Sequence, residues 1–319
     1  MMDIFQDQNS LKIKNLFQID YPIIQGGMVW VSGAKLVSAC ANAGVLGLIG
    51  AGSMKPDLLK EHLLKTQKLT KRSFGVNVPL LYKDSEKQIQ TALDLGVRIF
   101  FTSAGSPKKY TSWLKKEGCI VVHVSSTPEL AKKCEDAGVD AVVAEGFEAG
   151  GHNGRDEITS MALIPQVVDS VSIPVIAAGG IGDGRAVLAA KALGASGVQL
   201  GTRFVATKES SAHENFKNAI VQASFNSTML SLKKLVPVRL LKNKFFTQIT
   251  ELEQRCASSE ELTTVLGKGR AKAGMLEGDL ENGELEIGQV AGLIKSVPTV
   301  QECIEDLLNE YKKALKNFN

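Results

Sequence analysis

The sequence predicts an α/β fold, a (β/α)8 TIM barrel with an added helical segment in the C-terminal third. Three features indicate it: eight short apolar runs recur over residues 21–204, helical patterns separate them, and glycine follows several of the helices. The runs are continuous rather than alternating, as in parallel strands covered on both faces. An open doubly wound sheet is the alternative, but it normally carries a GxGxxG loop after its first strand, which QGGMVW does not match.

The strands are expected where the apolar runs lie, and most runs end in glycine or a small polar residue. They are Tyr21–Gly26, Val45–Gly50, Phe74–Pro79, Val97–Ala104, Cys119–Ser125, Ala141–Gly146, Pro174–Gly180 and Gly197–Phe204. In a barrel the carboxyl ends of the strands gather at one face, which carries function. These ends are rich in glycine, amide and hydroxyl groups, so we expect a ligand at that face.

Helices are expected between the strands, and the tails LGV, AGV and LGA fit the glycine that ends a helix in the left-handed conformation. The amphipathic patterns place helices at Lys35–Ala43, Lys55–Lys68, Glu86–Leu95, Thr127–Ala137, Ala162–Val171 and Asp183–Leu193.

The chain divides into three expected parts. Residues 1–205 form the barrel, and residues 206–269 form a helical insertion or lid that includes LSLKKLVPVRLLKNKFF. Residues 270–319 form a C-terminal segment that packs back on the barrel and ends in an amphipathic helix from about Val300 to Lys316.

Composition excludes several classes of protein. The 319 residues carry a formal charge of +3, too small a bias to indicate nucleic acid or an anionic membrane as partner. No run approaches the roughly 18 apolar residues of a membrane span, and the N-terminus lacks a signal-peptide pattern, so we expect a cytoplasmic protein. The five cysteines and four histidines show no metal-ligand spacing, so no metal is expected and most cysteines should be buried.

The ends of strands seven and eight predict a phosphate site. Gly179 and Gly180 follow strand seven, Asp183 is placed to cap the next helix, and Gly201 and Thr202 end strand eight. Free backbone N–H groups and a helix N-terminus favour a phosphate dianion, and barrels commonly use these two loops for it. The alternative is that both loops are only tight turns.

The loop after strand six, AEGFEAGGHNG, holds the best candidate for acid–base chemistry. His152 lies among glycines at the functional face, where a histidine that serves packing alone is less expected. Glu148 either orients this loop or is solvated, and we assign His123, inside an apolar run, to packing. No GxSxG, Walker or Cys/His nucleophile signature occurs, so a phosphate-anchored flavin or similar cofactor is the better explanation.

Several segments closely resemble the FMN-dependent nitronate monooxygenase family, which includes the FMN-dependent enoyl-[acyl-carrier-protein] reductase II. They are YPIIQGGM, FGVNVP, AEGFEAGGHNG, IPVIAAGGI, VQLGTRF and GDLENGELEIGQVAGLI, and together they cover nearly the whole chain. The resemblance implies FMN as cofactor and His152 as the catalytic residue. It implies that Gly26, Gly27 and Met28 lie by the flavin ring, that Asn77 hydrogen-bonds it, that Glu145, Gly150 and Gly151 line the pocket, and that Gly179, Gly180, Gln199, Leu200, Gly201 and Thr202 hold the ribityl chain and phosphate.

Two reactions remain open within this family. Nitronate monooxygenases oxidise alkyl nitronates with O2, whereas the reductases use NAD(P)H, through FMN, to reduce an enoyl thioester. The segment Ala144–Gly146 and the ending EGDLENGELEIGQVAGLI favour the reductase, with a small-molecule or acyl-carrier-protein-bound substrate and a homodimer expected. The insertion Asp156-Glu157 departs from the reductase pattern.

A basic channel wall would suit the reductase. The helical segment 206–269 carries six cationic side chains. They either meet the phosphates of a dinucleotide or phosphopantetheine arm or are simply solvated: Lys208, Lys233, Lys234, Arg239, Lys242 and Lys244. Two further readings are an inosine-monophosphate-dehydrogenase-like barrel, which needs a loop cysteine that is missing here, and a flavin-binding barrel with vestigial chemistry.

Overall fold

The computed structural model describes residues 5–317, so the outermost ends of the predicted first and third parts, residues 1–4 and 318–319, lie outside the described residues. Eight parallel strands close into a barrel in sequential order. They are β1 (Ile23–Gln25), β2 (Leu46–Gly50), β3 (Phe74–Pro79), β4 (Ile99–Ser103), β5 (Ile120–Ser125), β6 (Ala141–Glu145), β8 (Val175–Ala178) and β9 (Gly197–Leu200). The closure between β1 and β9 confirms the barrel and excludes the open sheet.

The barrel interior is filled by apolar side chains from alternate strand positions, among them Ile24, Leu48, Phe101 and Val143, all without exposed surface. The other face of each strand packs against the surrounding helices. This two-sided burial is why the sequence shows continuous rather than alternating apolar runs.

The helices lie close to their predicted positions, and the short α5 and the N-terminal α1 are additions. Their bounds are α1 (Gln8–Phe17), α2 (Ala34–Asn42), α3 (Pro56–Leu69), α4 (Ser85–Asp94), α5 (Thr111–Lys116), α6 (Pro128–Asp136), α7 (Ser160–Ser170), α8 (Gly184–Ala192), α9 (Thr202–Val205), α10 (Glu214–Val221), α11 (Lys244–Gln254), α12 (Ser259–Leu266) and α13 (Val300–Lys316). Gly44, Gly96, Gly138 and Gly194 follow helices with φ between 80° and 96°, which confirms the predicted helix stops.

Residues 206–269 are helical only in part. The predicted helical stretch LSLKKLVPVRLLKNKFF instead forms most of a hairpin, β10 (Thr228–Ser231) and β11 (Val238–Leu241), before α11 begins. Pro237 explains the difference, because proline inside a helix removes a hydrogen bond and clashes with the preceding turn. β11 also pairs with β7 (Gly151–His152), so a three-stranded accessory sheet covers one side of the barrel mouth.

The C-terminal helix α13 packs against α8 on the outside of the barrel. The approach is close: a Cβ on Gly184 would lie 2.1 Å from the Tyr311 backbone nitrogen. Between the hairpin region and α13, Glu286, Ile287, Gly288 and Val290 line the cavity at the barrel mouth, so the C-terminal part contributes to the site as well as to packing.

Within residues 5–317, no helix is both long and apolar enough to cross a bilayer, and no group of three or more His, Cys, Asp or Glu side chains is arranged to hold a metal. Four cysteines are buried and Cys256 is exposed, as expected for most of them.

Candidate active site

A cavity of about 780 Å³ opens at the carboxyl ends of the barrel strands, a size typical of small-molecule sites. Thirteen of the fourteen predicted site residues line it: Gly26, Gly27, Met28, Asn77, Glu145, Gly150, Gly151, His152, Gly179, Gly180, Gln199, Gly201 and Thr202. Leu200 is the exception. Its side chain is buried in the core, and its carbonyl accepts a hydrogen bond from the Gly26 N–H at 2.9 Å.

The turn after β1 is held by side chains beneath it. Asn77 Nδ2 donates to the Gly27 carbonyl at 3.2 Å, and a Cβ on Gly27 would lie 2.3 Å from the Asn77 Cβ. Gln25, which is fully buried, donates to Ser32 Oγ at 2.8 Å, and the Leu48 N–H donates to its Oε1 at 3.2 Å. The sequence reasoning missed the support from Gln25 and Ser32 because they face away from the cavity.

The loops after β8 and β9 leave backbone open to the cavity. Gly179 and Gly180 have φ of 84° and 69°, in the left-handed region that favours glycine. A Cβ on Gly201 would make only ordinary contact, 3.4 Å from Met28 Sδ. The helix that starts at Thr202 has no side-chain cap, and Gly201 and Thr202 line the cavity.

The N-terminus of α8, in contrast, is already occupied. Asp183 accepts hydrogen bonds from the Arg185 and Ala186 N–H groups, which confirms its predicted capping role, and the Gly184 N–H donates to Glu310 at 2.9 Å. The N-terminus of α8 therefore has no free N–H group for the expected anion among those of residues 184–186, and the two glycine loops are the remaining candidates to bind it.

The loop after β6 is fixed by the accessory sheet. Gly151 and His152 pair with Arg239 and Val238, and the Asn153 N–H donates to the Pro237 carbonyl at 2.8 Å. The His152 side chain lines the cavity and is exposed at its mouth. An imidazole held there can exchange protons with a bound ligand.

Glu148 orients this loop rather than facing solvent. Its carboxylate accepts hydrogen bonds at 3.0 Å from the Ser160 N–H and from Ser160 Oγ. Ser160 Oγ also lies 2.8 Å from the Gly179 carbonyl oxygen. One carboxylate thereby ties the loop of His152 to the glycine loop after β8.

Two carboxyl groups face the cavity without a hydrogen-bond partner among the described residues, Glu145 and Glu286. Burial raises the pKa of each to about 7. Of residues 5–317, no lysine or arginine lines the cavity. The electrostatic character of the site is therefore set by carboxyl groups and two histidines.

His123 has more than the packing role expected from the sequence. It is buried and bonds to Thr102 Oγ1 through Nδ1 at 2.6 Å, but its ring also lines the cavity. Burial lowers its pKa to about 4, so the ring is neutral at physiological pH.

The predicted basic channel wall is wrong for the residues named. Arg239 is buried and donates twice to the Phe147 carbonyl, at 3.0 and 2.7 Å, and Lys234 donates to the Ala257 carbonyl. Lys233 forms an ion pair with Glu157 at 2.5 Å. The segment Asp156-Glu157, which differs from the reductase pattern, therefore contacts the turn of the hairpin. None of the six cationic side chains lines the cavity.

The barrel, its glycine-lined cavity and the histidine at the mouth define an enzyme that binds a small organic ligand at the strand ends. The chain matches the nitronate monooxygenase family model over residues 10–92 and 82–310. It therefore belongs to the nitronate monooxygenase family and is an oxidoreductase.

Three relatives show the breadth of this family. FabK from Thermotoga maritima is 41% identical, with a TM-score of 0.92 over 96% of this chain and 97% of that one. A 5-hydroxy-7a-methyl-1-oxo-octahydro-1H-indene-4-carboxyl-CoA dehydrogenase from Mycobacterium tuberculosis is 31% identical over 93% and 94% of the two chains. A probable nitronate monooxygenase from Staphylococcus saprophyticus is 31% identical over 83% and 88%.

Proposed function

We propose that this protein is an FMN-dependent reductase that uses NAD(P)H to reduce an enoyl thioester, the reaction type of enoyl-acyl-carrier-protein reductase II. The observation that carries the proposal is the lack of a cationic side chain in the described cavity lining. Glu145 and Glu286 face it unpaired, and no lysine or arginine of residues 5–317 lines it. A nitronate is an anion and would find little compensation there, whereas an enoyl thioester is neutral at its reacting carbons.

The residues present fit FMN. The open backbone at Gly179–Gly180 and Gly201–Thr202 suits a phosphate, because N–H groups can bind it without a cation. Gly26, Gly27, Met28 and Asn77 would border the flavin ring, and Gln199 covers Gly26, with its Cγ 3.4 Å from the Cβ position there. When bound, the flavin supplies the hydride chemistry that no side chain can perform.

The substrate region is the part of the cavity near His152 and the accessory sheet. The residues of the range 206–275 that line the cavity are Val236 of the hairpin turn and Met275, so this part of the wall is apolar rather than basic. Such a wall suits an acyl chain. The relative from M. tuberculosis is named for a carboxyl-CoA, which is a thioester, and this supports the substrate class.

We propose that His152 moves the proton that accompanies hydride addition, while Glu148 and Arg239 hold its loop. Either a coenzyme A or an acyl-carrier-protein thioester is compatible with the open mouth. We further propose a homodimer and a lid role for residues 206–269, which light scattering and proteolysis with and without ligand would test.

The experiment that tests the reaction is product analysis. Crotonyl-CoA with NADPH or NADH should yield butyryl-CoA, detected by mass spectrometry. The second candidate is nitronate oxidation, which the name of the S. saprophyticus relative favours. Consumption of O2 with an alkyl nitronate, and no butyryl-CoA, would establish that candidate instead.

A further inference from the structure

Glu286 is a carboxyl group of the cavity that the family resemblance leaves without a role. It forms an antiparallel bridge with Leu240, next to the pair Arg239–Gly151. Leu240 pairs with β10 on its other edge, so Glu286 and Gly151 lie side by side along the same edge of β11. The sheet thus brings Glu286 next to the residue that precedes His152.

Two glycines make this approach possible. A Cβ on Gly151 would lie 2.5 Å from Glu286 Oε2, and a Cβ on Gly150 would lie 2.5 Å from the Ile287 carbonyl carbon. Side chains at either position would displace the segment from 286 to 288. Gly150 and Gly151 therefore allow the Glu286 carboxyl group to lie against Gly151, the residue that precedes His152, and both glycines border the cavity.

Among residues 5–317, no cationic side chain forms an ion pair with Glu286. Arg270 donates hydrogen bonds to the Val265, Leu266 and Asn282 carbonyls, and Arg239 donates to the Phe147 carbonyl. Burial raises the pKa of Glu286 to about 7. Burial and repulsion from Glu286 raise the pKa of Glu284 to about 7, although attraction to His152 and Arg270 lowers it in part. The charged and titratable groups on the packed elements are Glu284, Glu148, Glu145, His152, Arg239 and Arg270.

We propose that Glu286 supplies His152 with the proton that thioester reduction consumes. This inference rests on the proposed function. In that reaction the carbon–carbon π bond breaks, a hydride that originates on NAD(P)H bonds to the β-carbon, and a proton bonds to the α-carbon, leaving NAD(P)+ and the saturated thioester. The proton comes from His152, and the Glu286 carboxyl group returns one to it.

A buried reservoir is needed because the ligands themselves close the site. A cofactor and an acyl chain that fill the cavity exclude water from it. A carboxylic acid without hydrogen-bond partners retains its proton in such surroundings, whereas one paired with arginine would not. Glu286 meets this condition, and Glu148, bound to the Ser160 N–H, does not.

The first test needs no activity. Carboxyl NMR of the apoprotein labelled with [δ-13C]glutamate should show a signal that titrates near pH 7 and disappears in Glu286→Gln. In the same variant the Glu284 signal should titrate at lower pH, because a like charge is gone. The exposed control Glu281→Gln should change neither signal. A Glu286 signal that titrates near the ordinary value of 4.5 overturns the proposal.

The second test separates the half-reactions of the FMN-loaded enzyme. Glu286→Gln should leave flavin reduction by NAD(P)H unchanged but slow reoxidation by crotonyl-CoA about 10²-fold, and Glu286→Asp should restore part of it. If Glu286→Gln slows flavin reduction and flavin reoxidation equally, or slows neither, the proposed proton transfer from Glu286 to His152 is contradicted. If the thioester does not reoxidise the wild-type flavin at all, the proposed function fails. Independently of that result, a Glu286 NMR signal that titrates near 4.5 refutes the proton-holding role of Glu286.

Discussion

The cavity is built in two ways on its two sides. On the side of β8 and β9, bare backbone at Gly179, Gly180 and Gly201 lines the cavity, and short glycine motifs in the sequence mark both loops. On the side of the accessory sheet, side chains from distant segments meet: Arg239 reaches Phe147, 92 residues away. The first side offers backbone N–H groups to an anion, and the second offers side chains.

The largest effect is expected from a substitution on the side of β8 and β9, where backbone lines the cavity. Gly201→Asp should lower FMN affinity by at least about 10³-fold, because a carboxylate about 4 Å from the phosphate costs roughly 4 kcal/mol at an effective dielectric of about 20. The fold should survive, since a Cβ there makes only ordinary contact, with Met28. Isothermal titration of the apoprotein measures the affinity.

Two variants control this experiment. Gly201→Asn matches the size without the charge and should lose less affinity. Gly179→Ala should instead destabilise the protein by about 1–3 kcal/mol, because its φ is positive and the Cβ would lie 2.5 Å from the Gly146 carbonyl oxygen. Normal FMN binding by Gly201→Asp would refute the phosphate assignment.

The next largest effect is expected from a substitution on the side of the accessory sheet, where side chains line the cavity. His152→Ala should retain FMN but lose turnover by about 10²–10⁴-fold, the usual range for an acid–base residue. Its side chain is exposed, so stability should change little. Turnover near the wild-type value, measured with saturating NAD(P)H and thioester, would reduce His152 to a structural residue.

A smaller effect is expected where the accessory sheet holds the loop. Arg239→Met should destabilise the protein by about 2 kcal/mol, because it removes two hydrogen bonds to the Phe147 carbonyl and the contact with the Phe147 ring at 5.0 Å. Urea denaturation measures the loss. Arg239→Lys should recover part of it, and an unchanged midpoint in Arg239→Met would show that the contact contributes nothing.

A further expected effect, confined to neutral and alkaline pH, is a pH dependence of stability. The pKa of Glu145 is about 7 in the fold, above its ordinary 4.5, so the native state binds this proton more tightly than the unfolded state. Stability from this group is therefore present at low pH and is lost as pH rises through about 7. Glu145→Gln should melt at a higher temperature than the wild type at pH 8 and at a similar one at pH 4. Glu281→Gln is the exposed control, and a difference independent of pH would contradict the account.

The two sides also differ in how far the sequence predicts them. Gly179, Gly180, Gly201 and the capping residue Asp183 stand in short local motifs, and the structure places them as expected. The strand ends follow from the continuous apolar runs. These features depend on neighbours in sequence, which periodicity and glycine spacing report directly.

The accessory side depends on pairing between distant segments, which no local pattern reports. The apolar pattern of the hairpin predicts a helix, although the sequence contains Pro237. The expected basic wall is absent from the described cavity lining because Arg239 and Lys234 bind backbone carbonyls. Glu286 lies in the motif ELEIGQ, but only its pairing along β11 brings it next to Gly151, the residue before His152. Its place between Leu285 and Ile287, just before Gly288, is the one signal that the sequence offers.

The most direct test of the account is anaerobic stopped-flow absorbance of the FMN-loaded protein. The account predicts that NADPH or NADH bleaches the flavin at a catalytically useful rate, and that crotonyl-CoA then restores its absorbance faster than O2 does. If neither nucleotide bleaches the flavin while an alkyl nitronate does so readily, the reductase assignment is contradicted and nitronate oxidation is the reaction.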